Sequence, residues 1–223
     1  MNASASLAVF VAIFLSACSA TKEISGIEGW PTEQRQKHWI SENHLIPIKP
    51  HEITAAQGGE VAFESGVAVS PDGQMRIVFK MGDLRRVGDL HTSTSRFEIM
   101  DRNGKPVATA QATSSRQTAE YSHPHHRAWF YSDGRILIYE SWSDGSAYHD
   151  TVALISQLDS SAPRIDYLKL PAFPYPIERG AIPMGLLGNY LLLKPETPLK
   201  APGYKVSISK IPREESPLPF SIG

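Results

Sequence analysis

Residues 97–112 read FEIMDRNGKPVATAQA, and this stretch decides the fold class. Phe97 and Ile99 alternate with polar neighbours, and a run of small and β-branched residues returns over 107–112. Between the two runs lies Asp-Arg-Asn-Gly at 101–104, and an Asn-Gly pair readily adopts the positive φ angles of a tight hairpin turn. The stretch therefore predicts a β-hairpin.

The same alternation of apolar and polar residues recurs on both sides of this hairpin. Residues 61–69 and 75–79 flank a Ser-Pro-Asp-Gly turn, and residues 128–131 and 136–142 flank a Ser-Asp-Gly turn at 132–134. Turn residues between runs of period two predict further hairpins. The remaining predicted strands cover 148–158, 164–170, 190–193 and 204–211.

The other segments lack this alternation. A short N-terminal helix is predicted from Trp30-Pro31-Thr32 through Ile40, because Pro suits the first helical turn, and Pro47 and Pro50 are expected to end helical structure. Polar composition predicts loops over 82–95 and 113–122, and the proline-dense segment 171–176 is expected to run extended over the surface.

These elements predict one all-β domain over residues 30–223 with about nine or ten strands and one short N-terminal helix. The expected architecture is an antiparallel sandwich or a propeller-like sheet assembly. The Asp-Gly and Asn-Gly turns near residues 73, 104 and 134 also suggest a closed propeller. However, a four-stranded blade takes roughly 40–45 residues, so the closed propeller is the second alternative.

The composition is that of an ordinary globular chain, with 41% hydrophobic and 20% charged residues. Lys and Arg number 22 against 23 Asp and Glu, giving a net charge of −1. This balance argues against a nucleic-acid-binding protein, which needs a basic surface. Cys18 is the sole cysteine, so the chain forms no internal disulfide.

Residues 7–17 read LAVFVAIFLSA, an apolar run that ends at Leu15-Ser16-Ala17-Cys18. A bilayer span needs roughly 20 apolar residues, so this run has the length of a secretory signal instead. A Leu, two small residues and a Cys form a lipobox, and in this respect the chain resembles bacterial lipoprotein precursors. One departure is that residues 1–6 contain no Lys or Arg.

The resemblance implies that residues 1–17 are a signal peptide and that Cys18 receives a covalent lipid. Residues 18–29 would then tether the domain to the membrane. Ser19, in place of an Asp after the Cys, implies sorting to the periplasmic face of the outer membrane. No other cofactor is expected.

The sequence contains no Gly-x-Ser-x-Gly, P-loop, Gly-x-Gly-x-x-Gly or His-Glu-x-x-His motif. One constellation suggests metal chemistry, since four imidazoles can bind zinc or copper and Asp150 can orient one of them. The candidate ligands are His123, His125, His126 and His149. The alternative interpretation is a solvated loop entering a strand.

Other residues suggest contacts with a protein partner. Arg85 and Arg86 can make bidentate contacts to carboxylates, or can lie in a solvated loop. Trp142 is predicted next to a turn, where exposure is expected, among aromatic residues of which about half should face the core. Phe173 and Tyr175 lie in the stiff proline-rich segment.

An envelope-anchored β-domain without an enzyme motif is predicted to bind rather than to catalyse. Its layout of lipobox, polar tether and compact domain resembles the immunity lipoproteins of type VI secreted lipase effectors. This resemblance implies a partner that acts in the periplasm and is neutralised by occlusion, through residues 82–95 or 171–183. The alternatives are an outer-membrane assembly or maintenance lipoprotein, and a metal-binding protein or enzyme centred on the histidines.

Overall fold

The computed structural model describes residues 32–82, 85–87, 90–116, 125–143, 148–171, 181–195 and 203–215. The chain divides into two compact units, residues 1–38 and 39–223, and all the sheets belong to the second. The α-helices are α1, Thr32–Glu42, and α2, Pro50–Gln57. No helix in these described ranges is long and apolar enough to span a membrane.

Fifteen strands and one 3₁₀ helix, Ile208–Lys210, are found in the described residues. In chain order the strands are β1, Ile46–Pro47; β2, Glu60–Val61; β3, Val67–Val69; β4, Met75–Met81; β5, Arg85–Val87; β6, Leu90–Asp101; β7, Pro106–Arg116; β8, His125–Phe130; β9, Ile136–Ser143; β10, Tyr148–Ser156; β11, Arg164–Leu168; β12, Ala181–Leu187; β13, Tyr190–Pro195; β14, Tyr204–Ser207; and β15, Arg213–Glu214.

The strands form three antiparallel sheets, which follow one another along the chain apart from the short strands β1, β2 and β15. The N-terminal sheet contains β3 to β7, with β6 paired to β4 and β5 along one edge and to β7 along the other. The middle sheet has the order β15-β11-β10-β9-β8-β2, and the C-terminal sheet has the order β1-β14-β13-β12. The predicted all-β, antiparallel fold is confirmed.

The middle sheet is buried on both faces. On β9, Ile136 and Ile138 pack in a core shared with the N-terminal sheet, whereas Leu137 and Tyr139 pack in a core shared with the C-terminal sheet. Successive side chains of a strand point to opposite faces, so two sheets cover one run of buried residues from 136 to 140. The domain is therefore a three-layered β-structure.

Helix α2 corrects one expectation from the sequence. Pro50 begins this helix rather than ending helical structure, because the first-turn N–H that proline lacks has no partner within a helix. The Glu52 carboxylate accepts a hydrogen bond from the Lys49 backbone N–H, 2.9 Å, which caps the helix start. The helix then packs on β12, where Gly185, at φ 122°, leaves room for its backbone.

Strands occur in two segments that were predicted as loops and in one segment for which no strand was predicted. Residues 82–95 are not one long loop, because β5 lies within this segment and β6 starts at Leu90. Strand β5 pairs with the same edge of β6 as β4 does. Strand β7 extends to Arg116 and so includes the start of the predicted loop 113–122. Strand β12 starts at Ala181, after the proline-rich segment in the chain. Ser and Thr are frequent in β6 and β7, and the long antiparallel pairing between these two strands outweighs their polar composition.

Candidate functional site

The structure describes only part of the surface that the sequence predicted for partner binding. Arg85 and Arg86 lie on β5 and Trp142 lies on β9, but their side chains are outside the described part. Cys18, Phe173 and Tyr175 lie outside the described residues altogether. These six positions therefore remain predictions.

Two of the four candidate histidines have described side chains, and they point apart. His125 and His126 are neighbours on β8, so they project from opposite faces of the middle sheet. His125 is exposed, and His126 is directed toward the N-terminal sheet. His123 lies outside the described residues, and His149 is paired with Trp142, two strands away from His125.

The described residues contain no group of three His, Cys, Asp or Glu side chains that can hold a metal ion. His126 instead contacts Glu140, with 2.9 Å between Nε2 and Oε2. Asp150, which the sequence suggested as a histidine partner, accepts a hydrogen bond from the Tyr139 hydroxyl at 3.1 Å. Both polar contacts join neighbouring strands of the middle sheet.

A cleft of about 580 Å³ lies in the described part of the chain. It lies where the turns of the three sheets meet: the β3–β4 turn, the β8–β9 turn and the β12–β13 turn. The end of α2 forms the remaining wall. We call it the turn-end cleft. Its lining residues are Ala55, Gly58, Gly59, Ser70, Pro71, Asp72, Met75, Phe130, Tyr131, Ser132, Gly134, Arg135, Ile136, Leu158, Leu186, Leu187 and Gly188.

Tyr131 fixes one wall of the turn-end cleft. Its hydroxyl oxygen accepts a 2.5 Å hydrogen bond from the Leu186 backbone N–H, which joins the middle sheet to β12. Burial raises the pKa of Tyr131 well above its usual range, and the Leu186 N–H offsets this only in part. The phenol is therefore neutral at physiological pH. Its ring is held by the backbone at one end and by the hydrogen bond from the Leu186 N–H at the other.

Arg135 holds the β8–β9 turn against the β12–β13 turn. Its guanidinium donates to the Asp133 carboxylate, 2.8 Å from Nε to Oδ2, and to the Gly188 carbonyl oxygen at 2.8 Å. The Arg135 side chain is 18% exposed, and its Cζ lies 5.9 Å from the centre of the Tyr131 ring. The Arg135 side chain also lowers the pKa of Asp133, which stays ionised.

Asp72 stands on the opposite rim. The Ser70 hydroxyl donates to its Oδ1 at 2.6 Å, and the Gln74 backbone N–H donates to the same oxygen at 3.0 Å. These hydrogen bonds, that of Ser70 foremost, lower the pKa of Asp72. The β3–β4 turn is therefore fixed by its own side chains.

The turn-end cleft combines an apolar interior with a polar rim. Phe130, Ile136, Leu158 and Leu186 contribute apolar side chains, and the charged side chains among the described lining residues are Asp72 and Arg135. Clefts of roughly 300–1,000 Å³ with mostly apolar walls and a few polar groups are typical binding sites. The arrangement suits binding of a largely apolar group.

Sequence reasoning missed the turn-end cleft as a site, although it predicted two of the turns that border it. The Asp-Gly turns at 72–73 and 133–134 are correctly predicted, but no pattern in the sequence shows that they meet. Comparison with protein-family models, with curated proteins and with solved structures finds no match to this chain.

Proposed function

We propose that this chain is a lipid-anchored binding protein of the bacterial envelope, and that it serves as the immunity protein of a type VI secreted lipase effector. The anchor is proposed from the lipobox Leu15-Ser16-Ala17-Cys18. The observation that carries the binding role is the turn-end cleft, in which all three sheets and α2 present rigid turns around one concavity.

Occlusion is the mechanism that fits a surface of this kind. The bordering turns are held by Ser70–Asp72, Arg135–Asp133 and Arg135–Gly188 hydrogen bonds. Groups that are already ordered lose little conformational entropy on association, so such turns suit tight binding of a folded partner. The bound protein would cover the mouth of the effector's active site over an interface of roughly 1,600 Å².

The proposed binding surface differs from the one that the sequence suggested, which was residues 82–95 or 171–183. Residues 82–95 are largely strand rather than an open loop, and residues 172–180 are outside the described part of the chain. The turns around the cleft are therefore the surface proposed for the effector. The lipid would hold this surface at the periplasmic face of the outer membrane, where a lipase delivered from outside would act.

The test is co-purification of the full lipidated chain with the product of a neighbouring gene for a secreted lipase, combined with an assay of lipase inhibition. We expect a stable complex and stoichiometric inhibition. Ser132→Arg places a long charged side chain at the cleft, where it would obstruct the partner. We expect binding to weaken at least tenfold, which corresponds to a loss of about 1.4 kcal/mol.

Ser161→Arg is the matched control, because Ser161 is also an exposed serine but does not line the cleft. This variant should bind as the unmodified chain does. If the chain neither binds nor inhibits such a lipase, the immunity role is wrong. Recovery of an outer-membrane complex in its place would support an assembly lipoprotein.

A further inference from the structure

We infer that the turn-end cleft receives a neutral aromatic side chain from a protruding loop of the protein partner. That the side chain comes from the effector rests on the proposed function, whereas its chemistry does not. The chemistry follows from three features of the described walls: their shape, their apolar groups and their charge.

The first feature is the flatness of the walls. Gly58, Gly59, Gly134 and Gly188 all line the cleft. Glycine has no side chain, so a bound group can approach the backbone at Gly134 and Gly188, where an added Cβ would meet nothing within 4 Å. At Gly59 the corresponding space is filled by the Phe130 carbonyl group. Flat backbone surfaces accommodate a planar ring better than a branched aliphatic side chain, which needs depth in all directions.

The second feature is the set of groups that contact such a ring. Phe130 and Tyr131 offer aromatic surfaces, and Met75 offers a polarizable thioether. Aromatic pairs and sulfur–aromatic contacts each contribute roughly 0.3–1.5 kcal/mol beyond the burial of area. The Tyr131 ring cannot turn away to avoid the bound group, because its hydroxyl is bonded to the Leu186 N–H.

The third feature is the balance of charge. Asp72 and Arg135 are the charged side chains among the described lining residues, and they have opposite signs. The Arg135 guanidinium is already engaged by Asp133, 2.6 Å between Nη2 and Oδ2, so it offers little attraction for an anion. A neutral group therefore fits this cleft better than a carboxylate or an ammonium.

A partner side chain is favoured over a free small molecule by the position of the cleft. The rim residues Pro71, Asp72, Ser132 and Gly134 are all exposed, so the cleft opens on the projecting turn end of the domain. A loop that carries an aromatic residue can reach this opening while its flanks contact the turns. Buried aromatic anchors of this kind dominate the binding energy of protein interfaces.

The test uses N-acetyl-L-tryptophanamide as the probe, titrated into the full ¹⁵N-labelled chain in detergent micelles. We expect saturable shifts of the Gly59, Gly134 and Gly188 amide signals, with a Kd on the order of 1 mM for a fragment of this size. N-acetyl-L-leucinamide and the carboxylate N-acetyl-L-tryptophan should bind at least tenfold more weakly. Equal or tighter binding of either would overturn the inference.

Two variants on α2 separate cleft binding from partition of the probe into micelles. Ala55→Phe fills the cleft, because Ala55 lines it. Thr54→Phe adds the same ring at the preceding residue, which is exposed and does not line the cleft. The first should abolish the shifts and the second should leave them unchanged. Equal shifts in both variants would overturn the inference.

The two proposals can fail separately. The probe contains no effector, so absence of probe binding together with a stable effector complex would remove only the aromatic insertion. Probe binding without any lipase partner would remove only the immunity role, and the aromatic chemistry of the cleft would stand.

Discussion

His126 and Glu140 face each other directly across β8 and β9, with 2.9 Å between Nε2 and Oε2 and a Glu140 side chain that is 1% exposed. The imidazole is enclosed by Phe63, Phe79 and Phe97, whose ring centres lie 5.4, 4.0 and 5.4 Å from its own. A polar pair thus occupies an aromatic core between two sheets. Such a pair is costly to break, because either member alone would be buried without this partner.

Replacing Glu140 should therefore destabilise the domain strongly. Glu140→Ala removes this hydrogen-bond partner of His126 in a buried setting, and we expect the free energy of unfolding to fall by about 3 kcal/mol. Urea denaturation followed by tryptophan fluorescence measures this change. Glu98→Ala is the control: the Glu98 carboxylate pairs with Lys80, whose side chain is 55% exposed, and its loss should cost less than about 1 kcal/mol. Equal losses for the two variants would contradict a special role for the buried pair.

Tyr131→Phe should weaken the contact between the middle sheet and β12. The variant loses the acceptor of the Leu186 N–H, so the free energy of unfolding should fall by about 1 kcal/mol. Hydrogen exchange at the Leu186 amide should become faster. Tyr190→Phe, at a side chain that is 37% exposed, is the control and should change neither quantity.

Tyr131 also predicts a loss of stability at alkaline pH. Because burial raises its pKa in the folded state, the unfolded chain releases this proton first, starting near the ordinary tyrosine pKa of about 10. Stability is therefore complete below that pH and falls as the pH rises toward the folded-state pKa. Denaturation midpoints at pH 9 and pH 11 should differ more for the unmodified chain than for Tyr131→Phe. The prediction is wrong if the two differences are the same.

Asp101 predicts a loss of stability in acid. Its carboxylate accepts the Asn103 and Lys105 backbone N–H groups, at 2.8 and 2.9 Å, and these bonds, that of Lys105 first, lower its pKa. The stabilisation is present above the unfolded pKa, near 4, and disappears as the pH falls through the lower folded pKa. Asp101→Ala should lower the midpoint of thermal unfolding at pH 7. It should also make that midpoint less dependent on pH between pH 5 and about pH 2. Asp159→Ala, at an exposed turn, should do neither.

Gly185→Ala should displace α2 from β12. The added Cβ would collide with the Ala56 carbonyl oxygen, and the φ of 122° is unfavourable for any residue with a Cβ. We expect a loss of about 3 kcal/mol, measured by chemical denaturation. Gly73→Ala has a positive φ but open space around it, so it should cost only about 1 kcal/mol. A similar cost for both variants would show that contact with α2 is unimportant.

Cys18→Ala tests the proposed anchor. Without the thiol no lipid can be attached, and we expect the protein to move from the membrane pellet to the soluble fraction after signal cleavage. Ser16→Ala keeps a small residue in the lipobox and should leave the protein in the membrane fraction. Fractionation and immunoblotting measure both. Cleaved Cys18→Ala protein that still sediments with membranes would contradict the lipoprotein assignment.

The hairpins were predictable because each depends on neighbouring residues. Asn103-Gly104 and Ser132-Asp133-Gly134 join strands that the alternation of apolar residues already indicates, and both turns form as expected. The strand β12 was not predictable in the same way. Its pattern is interrupted by Pro183 and Gly185, and only pairing with β13 and contact with α2 make it a strand.

The candidate site was less predictable than the fold, because its residues are distant in the chain. His126 looked like part of an exposed histidine cluster, but phenylalanines from three other segments enclose it. The turn-end cleft similarly needs α2 and turns from three sheets. Local patterns predict which segments are strands, whereas the stacking of sheets depends on contacts that no local pattern contains.

The pairing of β1 with β14 has a consequence for the order in which the sheets can be completed. Each sheet is built mainly from consecutive strands, so most hairpins can form as soon as neighbouring residues are available. The C-terminal sheet also needs a distant pairing, because Ile46 near one end of the described chain pairs with Lys205 near the other. The middle sheet is similar, since its edge strands β2 and β15 come from opposite ends of the described chain. Both sheets can therefore be completed only after the last strands have been synthesised.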